Sequence, residues 1–416
     1  EWIGQQCEAG SEVGIDGTVS SYAETEALKA ELRHQGGMTL RLNLDPLTRI
    51  WNDRPAIPQH KIELQPLEFA GETTASKLDR IRQALRRQHC DGMLMSALDD
   101  IAWTLNMRGT DVHCNPVFVS YLVIEHEKTT LFVDNDKLTS EVSAYLAMLS
   151  IKVLPYNEVG KYLKRDYFAY NILLDPNETN SYLVACAKEG RAAVVLTTSP
   201  IPEMKAVKNE TEIQGFHNAM KRDGVAMVKF LKWLIPAVKA GHETEISLDK
   251  KLTYLRSQQP LFRDSSFDTI VGYEHHGAIV HYEATPETDI AIEPHGFVLI
   301  DSGAQYQDGT TDITRTIALG PLTEEQKRVY TIVLKGHIQL ELARFPDGVS
   351  GTQLDALARE PLWREGYNFL HGTGHGVGSY LNVHEGPHQI RMEYKPAPLH
   401  AGMTVTDEPG LYLSNR

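Results

Sequence analysis

Apolar positions recur along this chain with two periods, and the change from one to the other divides it. Near the start, Glu12-Val13-Gly14-Ile15-Asp16 is a short strand pattern ending in a turn, and Tyr22 to Leu32 mixes Ala, Glu, Leu and Lys as a helix does. Met38, Leu40, Leu42 and Leu44 then alternate onto one face, predicting a strand over Met38 to Leu44, and the proline-bearing stretch Arg54 to Pro66 reads as a linker. From about Thr74, Lys77, Ile81 and Leu85 set out an amphipathic helix and Gly92-Met93-Leu94-Met95 a buried strand. Strand-like runs follow at Val117-Phe118-Val119, Leu131-Phe132-Val133 and Ile172-Leu173-Leu174. Such alternation predicts an α/β unit over 74–200. Asp134-Asn135-Asp136 lacks the Gly and distant Glu of a calcium loop and reads as a hairpin turn.

From Ile201 the character changes. Ile213, Met220, Met227, Phe230, Leu231 and Leu234 are spaced for one buried face of a long helix over Lys208 to Val238, with Pro236 predicted to mark its end. A second helix, Glu245 to Ser257, follows Gly241, and beyond it the chain reads mainly as strands and turns. Neither an internal repeat nor a low-complexity tract interrupts this order.

Length and charge narrow the class. At 416 residues the chain exceeds one ordinary core, and 42% hydrophobic residues with a mean hydropathy of −0.31 predict a soluble, folded, multi-domain enzyme. No apolar run nears the roughly 20 residues that span a bilayer, and no secretory pattern opens the chain, whose first residue is Glu1 and not Met. A net charge of −14 with no long basic stretch disfavours nucleic acid. Cys7, Cys90, Cys114 and Cys186 lie far apart without CxxC spacing, which fits a reducing compartment and small buried hydrophobes.

The candidate chemistry lies in the C-terminal half. Phe297-Val298-Leu299-Ile300 reads as a buried strand delivering Asp301 to the Ser302-Gly303 turn, where a buried carboxylate needs a cation or hydrogen-bond donors. Asp312 follows eleven residues later, past the hairpin signal Asp308-Gly309, so both carboxylates can face one pocket. Two aspartates beside glycines are as often turn formers. Their conjunction with the glycine-rich run His371-Gly372-Thr373-Gly374-His375-Gly376-Val377-Gly378 and with Thr406-Asp407-Glu408-Pro409-Gly410 points instead to a divalent cation of the Mn or Zn kind. No Lys-Ser/Thr follows that run and its spacing is not GxGxxG, which disfavours a phosphate loop.

These segments, with Asn382-Val383-His384-Glu385-Gly386-Pro387, resemble the cytosolic three-domain form of the aminopeptidase P (Xaa-Pro aminopeptidase) family. So do Ile50-Trp51-Asn52-Asp53-Arg54-Pro55, Ala97-Leu98-Asp99-Asp100-Ile101-Ala102-Trp103, Arg108-Gly109-Thr110-Asp111 and Asn115-Pro116-Val117-Phe118, so the likeness runs through nearly the whole chain. The resemblance implies an α/β and α+β protein. Its creatinase-like α/β N-terminal domains, a partial one over 1–73 and a second over 74–200, precede a C-terminally incomplete pita-bread metallopeptidase domain over 201–416.

It implies also that Asp301 binds one metal, that Asp312 bridges two, and that His375 and Glu408 complete the second. The cations expected are two divalent ions, Mn²⁺ first with Zn²⁺ or Co²⁺ as alternatives, supplying an activated water and polarising a carbonyl. Glu408 is expected to take a proton from the nucleophile and relay it to the leaving nitrogen, while His281 and His384 line the proline side and steady the carbonyl or oxyanion. His371 is expected to orient its neighbours, and Arg108 and Trp103 to reach the site from the middle domain. The implied reaction removes the N-terminal residue from peptides with proline in second position. A cytoplasmic homodimer, with no nucleic-acid or membrane partner, is expected. The family's fifth ligand, a Glu in a Gly-Ile-Arg-x-Glu strand, is expected beyond Arg416, and these 416 residues alone are expected to hold metal less tightly. Prolidase is the alternative of the same chemistry. A catalytically silent, peptidase-like binding module is the alternative of another class, disfavoured by the four ligands.

Overall fold

A computed structural model describes residues 2–414. The chain forms two compact units. One holds the chain up to Leu64 together with Glu72–Asp111 and Val117–Ile201; the other holds Gln65–Gly71, Val112–Pro116 and the chain from Pro202 on.

The first unit is built on a six-stranded mixed sheet in the order Ala193–Leu196, Asn171–Leu174, Gly92–Met95, Tyr121–Glu125, Thr129–Phe132, Ile151–Leu154. Gly92–Met95 is buried on both faces and reads as an unbroken apolar run for that reason. The amphipathic helix forms as Thr74–Arg87, capped by Thr73, whose hydroxyl accepts from the Ser76 amide. Three expectations change. The strand predicted over Met38 to Leu44 shortens to Thr39–Arg41, paired in parallel with Glu12–Gly14. Val117 and Phe118 are buried as their apolar character demands, yet this run is no strand: the Val117 carbonyl accepts from the Asp111 amide, and the Val119 amide donates to the Asp111 carboxylate. The Asp134 segment is a 3₁₀ turn, Asn135–Lys137, leading into the helix Ser140–Met148. Thr129–Phe132 pairs in parallel with Ile151–Leu154, and parallel neighbours require a crossover where a hairpin cannot serve.

The long helix of the second unit is Glu210–Ala240, started by a capping box between Asn209 and Glu212. Pro236 does not end it. The proline deletes one backbone hydrogen bond at a cost of about 3 kcal/mol, but Leu234 and Val238 on either side are buried in the core, and the helix runs on. With Glu245–Ser257 it packs Met227, Phe230, Leu248 and Leu252 against Val298 and Ile300 of a three-stranded antiparallel sheet, Ile270–Tyr273, Phe297–Ser302 and Ile313–Ala318. The region expected to hold mainly strands and turns also contains two helices, Glu324–Glu341 and Gly351–Trp363. Their buried stripe includes Gly336, which hides the helical period. A Cβ there would run into the Ala358 carbonyl, so the glycine is what lets the helices meet.

Four buried carboxylates tie these elements together. Asp223, fully buried, accepts from Nε and Nη2 of Arg256 at 2.7 and 2.9 Å, from the Tyr306 hydroxyl at 3.0 Å and from the Thr311 hydroxyl at 3.1 Å. Glu245 accepts from the Tyr273 amide (2.9 Å), from His276 Nδ1 (3.0 Å) and from the Tyr282 hydroxyl (3.0 Å). Asp355 accepts from Arg359 Nε and the Thr373 hydroxyl, each at 2.5 Å, and Glu385 pairs with Lys208. Removing one partner of a buried pair strands the other charge, at about 3–5 kcal/mol. Asp223→Ala is therefore expected to lower the urea midpoint of unfolding by that equivalent without changing the slope; a loss below about 1 kcal/mol would show that Arg256 finds water or another acceptor instead.

Candidate metal centre

The centre is assembled from two strand systems of the second unit. In the first, Asp301 lies on Phe297–Ser302 in register with Thr314, on the face opposite Val298 and Ile300, while Asp312 sits one residue before Ile313–Ala318. The turn between them is the predicted one, Gly309–Thr310 folding back on Ala304–Tyr306. Asp223 holds both ends, since its partners Arg256 and Thr311 reach the Ser302 carbonyl (3.3 Å) and the Ala304 amide (3.0 Å).

In the second system, Gly374–Gly376 pairs with Glu385–Ile390 on one side. On the other side it meets the segment carrying Glu408: the Thr406 amide donates to the His375 carbonyl (2.9 Å) and the Glu408 amide to the Thr373 carbonyl (2.7 Å). This ladder sets His375 and Glu408 side by side. A Cβ on Gly374 would strike the Thr406 carbonyl, which is the close approach that the glycine-rich run provides. Arg359, fully buried, holds the strand's start by donating to the carbonyls of Phe369 (2.5 Å) and His371 (2.9 Å).

Donor atoms of Asp312, His375 and Glu408 lie within 4.8 Å of one another. His375 Nε2 stands 3.3 Å from Asp312 Oδ2 and 3.1 Å from Glu408 Oε1. Its Nδ1 donates to the Gly376 carbonyl at 2.8 Å, so in the neutral ring the Nε2 lone pair faces the carboxylates. Burial would lower the His375 pKa, but Asp312, Glu408 and the Gly376 carbonyl outweigh it and raise it to about 10. Burial, then the charge of Asp312, pushes Asp301 up to about 7. Glu408 moves the other way: burial raises it, yet the His375 imidazole brings it below the usual range. Asp301 Oδ1 is buried with no hydrogen-bond partner, and Glu408 Oε1 has the His375 ring only in ion-pair reach. Three carboxylates around one imidazole, two with stranded oxygens, fit divalent cations well.

His384 is in edge contact with His375, ring centroids 4.3 Å apart, and burial together with the His375 charge lowers its pKa. His281 is exposed, sits close enough for its charge to act on His384, and has φ of 57°, a strained left-handed conformation for a residue with a side chain. His371 Nδ1 donates to the Gly372 carbonyl (2.8 Å), leaving Nε2 to accept from the Tyr412 hydroxyl (2.9 Å). Arg108 and Trp103 belong to the first unit and are buried there. Arg108 donates to the Ala102 and Met107 carbonyls. Sequence reasoning missed Tyr412, Thr406 and the buried anchors. The available signal was a carboxylate on an apolar stripe, as at Ala219, Asp223, Ala226 and Phe230.

Carboxylates and an imidazole meeting at the junction of two strand systems are the donor set of a metallohydrolase. Residues 214–416 match the profile of metallopeptidase family M24, and residues 53–212 that of the creatinase/prolidase N-terminal domain. A probable Xaa-Pro aminopeptidase P of Neosartorya fischeri is 39% identical over 99% of this chain and 65% of its own length, so the chain spans just under two thirds of that relative. X-prolyl aminopeptidase of Caenorhabditis elegans, described as a cytosolic enzyme with a di-nuclear active site, superposes with a TM-score of 0.92 at 36% identity, over 100% of this chain and 68% of that one. The Xaa-Pro dipeptidase of Bacillus anthracis superposes at 0.68 and 25% identity, over 82% of this chain and 92% of that one. The chain belongs to the Xaa-Pro aminopeptidase P group of metallopeptidase family M24.

A cation entering this centre must displace protons. With His375 raised to about 10 and Asp301 to about 7, affinity for Mn²⁺ is expected to rise about tenfold per pH unit between roughly pH 7 and 9. Calorimetry in buffers of different ionisation enthalpy checks this; an affinity flat with pH, with no proton release, would mean that His375 is not a ligand.

Proposed function

We propose that the protein is a metal-dependent aminopeptidase that releases the N-terminal residue from peptides with proline in second position. The observation that carries this reading is the convergence of Asp312, His375 and Glu408 within 4.8 Å beside the stranded carboxylate oxygen of Asp301. The relatives' named activities support the substrate class. Asp301, Asp312, His375 and Glu408 would hold two divalent cations, Mn²⁺ first and Zn²⁺ or Co²⁺ as alternatives, which when bound supply Lewis acidity and acidify water.

The residues of the chain do the rest. The peptide bond before proline is a tertiary amide with no N–H, so recognition falls to the shape and donors of the pocket. His384, its pKa lowered, is neutral near pH 7 and has an N–H to offer the scissile carbonyl as negative charge gathers on its oxygen; His281 stands beside it. Glu408, a carboxylate ionised near pH 7, accepts the proton of the attacking water and returns it to the leaving proline nitrogen. His371 holds the Tyr412 hydroxyl and orients the wall next to Glu408. We take the working form to be a cytosolic homodimer, a reading supported by the C. elegans enzyme's description for location and by the family resemblance for assembly.

Glu408→Ala is expected to lower kcat by about 10²–10⁴, read by release of the N-terminal residue from an Xaa-Pro-Yaa tripeptide by the metal-loaded protein; unchanged turnover would remove Glu408 from the chemistry. The same assay with the Xaa-Pro dipeptide separates the alternatives. Faster cleavage of the tripeptide supports the aminopeptidase, and preference for the dipeptide makes the protein a prolidase. A protein that loads metal but cleaves neither would revive the binding module.

A further inference from the structure

A pocket of about 330 Å³ in the second unit runs from His384 past Asn382 and Phe267 and ends at a group of side chains that the peptidase chemistry does not use: His113, Cys114 and Asp268. One donor atom from each lies within 4.8 Å of the others, and His113 Nε2 is 2.7 Å from Asp268 Oδ1. Bonds of about 2.0–2.3 Å to a tetrahedral ion place donors roughly 3.3–3.8 Å apart, so small side-chain rotations bring all three onto one ion.

The backbone under this group is fixed. Val112 and Asn115 bridge across the two residues, the Asn115 side chain donates to the His113 carbonyl (3.1 Å), and the buried Gln305 amide donates to the carbonyls of Cys114 (3.1 Å) and Leu381 (2.7 Å). Cys114 is held there at φ 60°, a conformation that costs a side-chain-bearing residue about 1–2 kcal/mol. Cys114 is buried, whereas His113 and Asp268 are exposed to the solvent from which an ion arrives. Burial, then the charges of Asp268 and Asp264, push the Cys114 thiol up to about 12, so without a cation it stays protonated.

Thiol, imidazole and carboxylate together favour a borderline-soft ion, whereas Mn²⁺ prefers oxygen donors. We propose that His113, Cys114 and Asp268 form a separate thiolate-bearing Zn²⁺ site, and that zinc bound there narrows the pocket leading to His384 and slows the peptidase. As the sulfur–zinc bond forms, the Cys114 proton leaves to solvent. The inhibitory part rests on the peptidase reading; the binding part does not.

Cobalt distinguishes the two centres, because Asp301, Asp312, His375 and Glu408 contain no sulfur, and a thiolate-to-cobalt charge-transfer band in the near ultraviolet reports only a cysteine ligand. Chelator-stripped protein titrated with Co²⁺ is expected to develop this band, and Zn²⁺ to bleach it. The band should survive in a protein carrying both Asp312→Asn and His375→Ala, and disappear in Cys114→Ser. His113→Ala should weaken cobalt binding by at least the roughly 10- to 100-fold that loss of an outer partner costs. No band in the parent protein, or a band unchanged in Cys114→Ser, overturns the site. In Mn²⁺-loaded protein, excess Zn²⁺ should inhibit the parent and spare Cys114→Ser. Equal inhibition of both overturns the inhibitory part, while absence of all peptidase activity would leave the cobalt result standing and count against the peptidase reading alone.

Discussion

A carboxylate removed from water must have a cation or several donors, and this requirement organises the second unit. Asp223 has Arg256, Asp355 has Arg359, Glu385 has Lys208, and Glu245 has His276 with two further donors. Each anchor lies under a different piece of the metal centre: Asp223 under the loop joining Asp301 to Asp312, Glu245 under the turn leading to His281, Asp355 under the strand of His375, and Glu385 beside His384. Each of these four is paired with a basic side chain, although Glu385 Oε2 has no hydrogen-bond partner; Asp301 Oδ1 and Glu408 Oε1, which have none either, belong to the candidate metal centre.

The same contrast explains the electrostatics. Asp301 and Glu408 share one pocket with Asp312 and His375, yet their acidities move in opposite directions. Asp301 is governed by burial and a neighbouring carboxylate, and Glu408 by the imidazole it faces. Without an ion, the His375 imidazole, its pKa raised, supplies the positive charge that these carboxylates face.

Much of this was legible in the sequence. Gly92–Met95 and residues 297–300 are unbroken apolar runs, Glu245–Ser257 follows the break at Gly241, and the spacing of Asp301, Asp308-Gly309 and Asp312 implied a hairpin bringing two carboxylates together. What stayed hidden depends on partners distant in sequence. Thr406 looks like a turn residue until its ladder to His375 is seen. Gly336 breaks a helical stripe on paper and makes helix contact in space. Pro236 signals a stop that packing of Leu234 and Val238 overrides. Val117 and Phe118 have the side chains of a strand, but a loop carboxylate at Asp111 takes the backbone bond that a neighbouring strand would have made.

His375 and Glu408 are set side by side by backbone hydrogen bonds from Thr406 to His375 and from Glu408 to Thr373, while Asp301 and Asp312 come from a hairpin braced by Asp223. The two pairs are far apart in sequence, so their donors meet only when both strand systems have folded and packed together. The cluster is therefore a reporter of completed folding: a refolding chain with its helices formed but these strand systems undocked has no gathered Asp312, His375 and Glu408 to offer an ion.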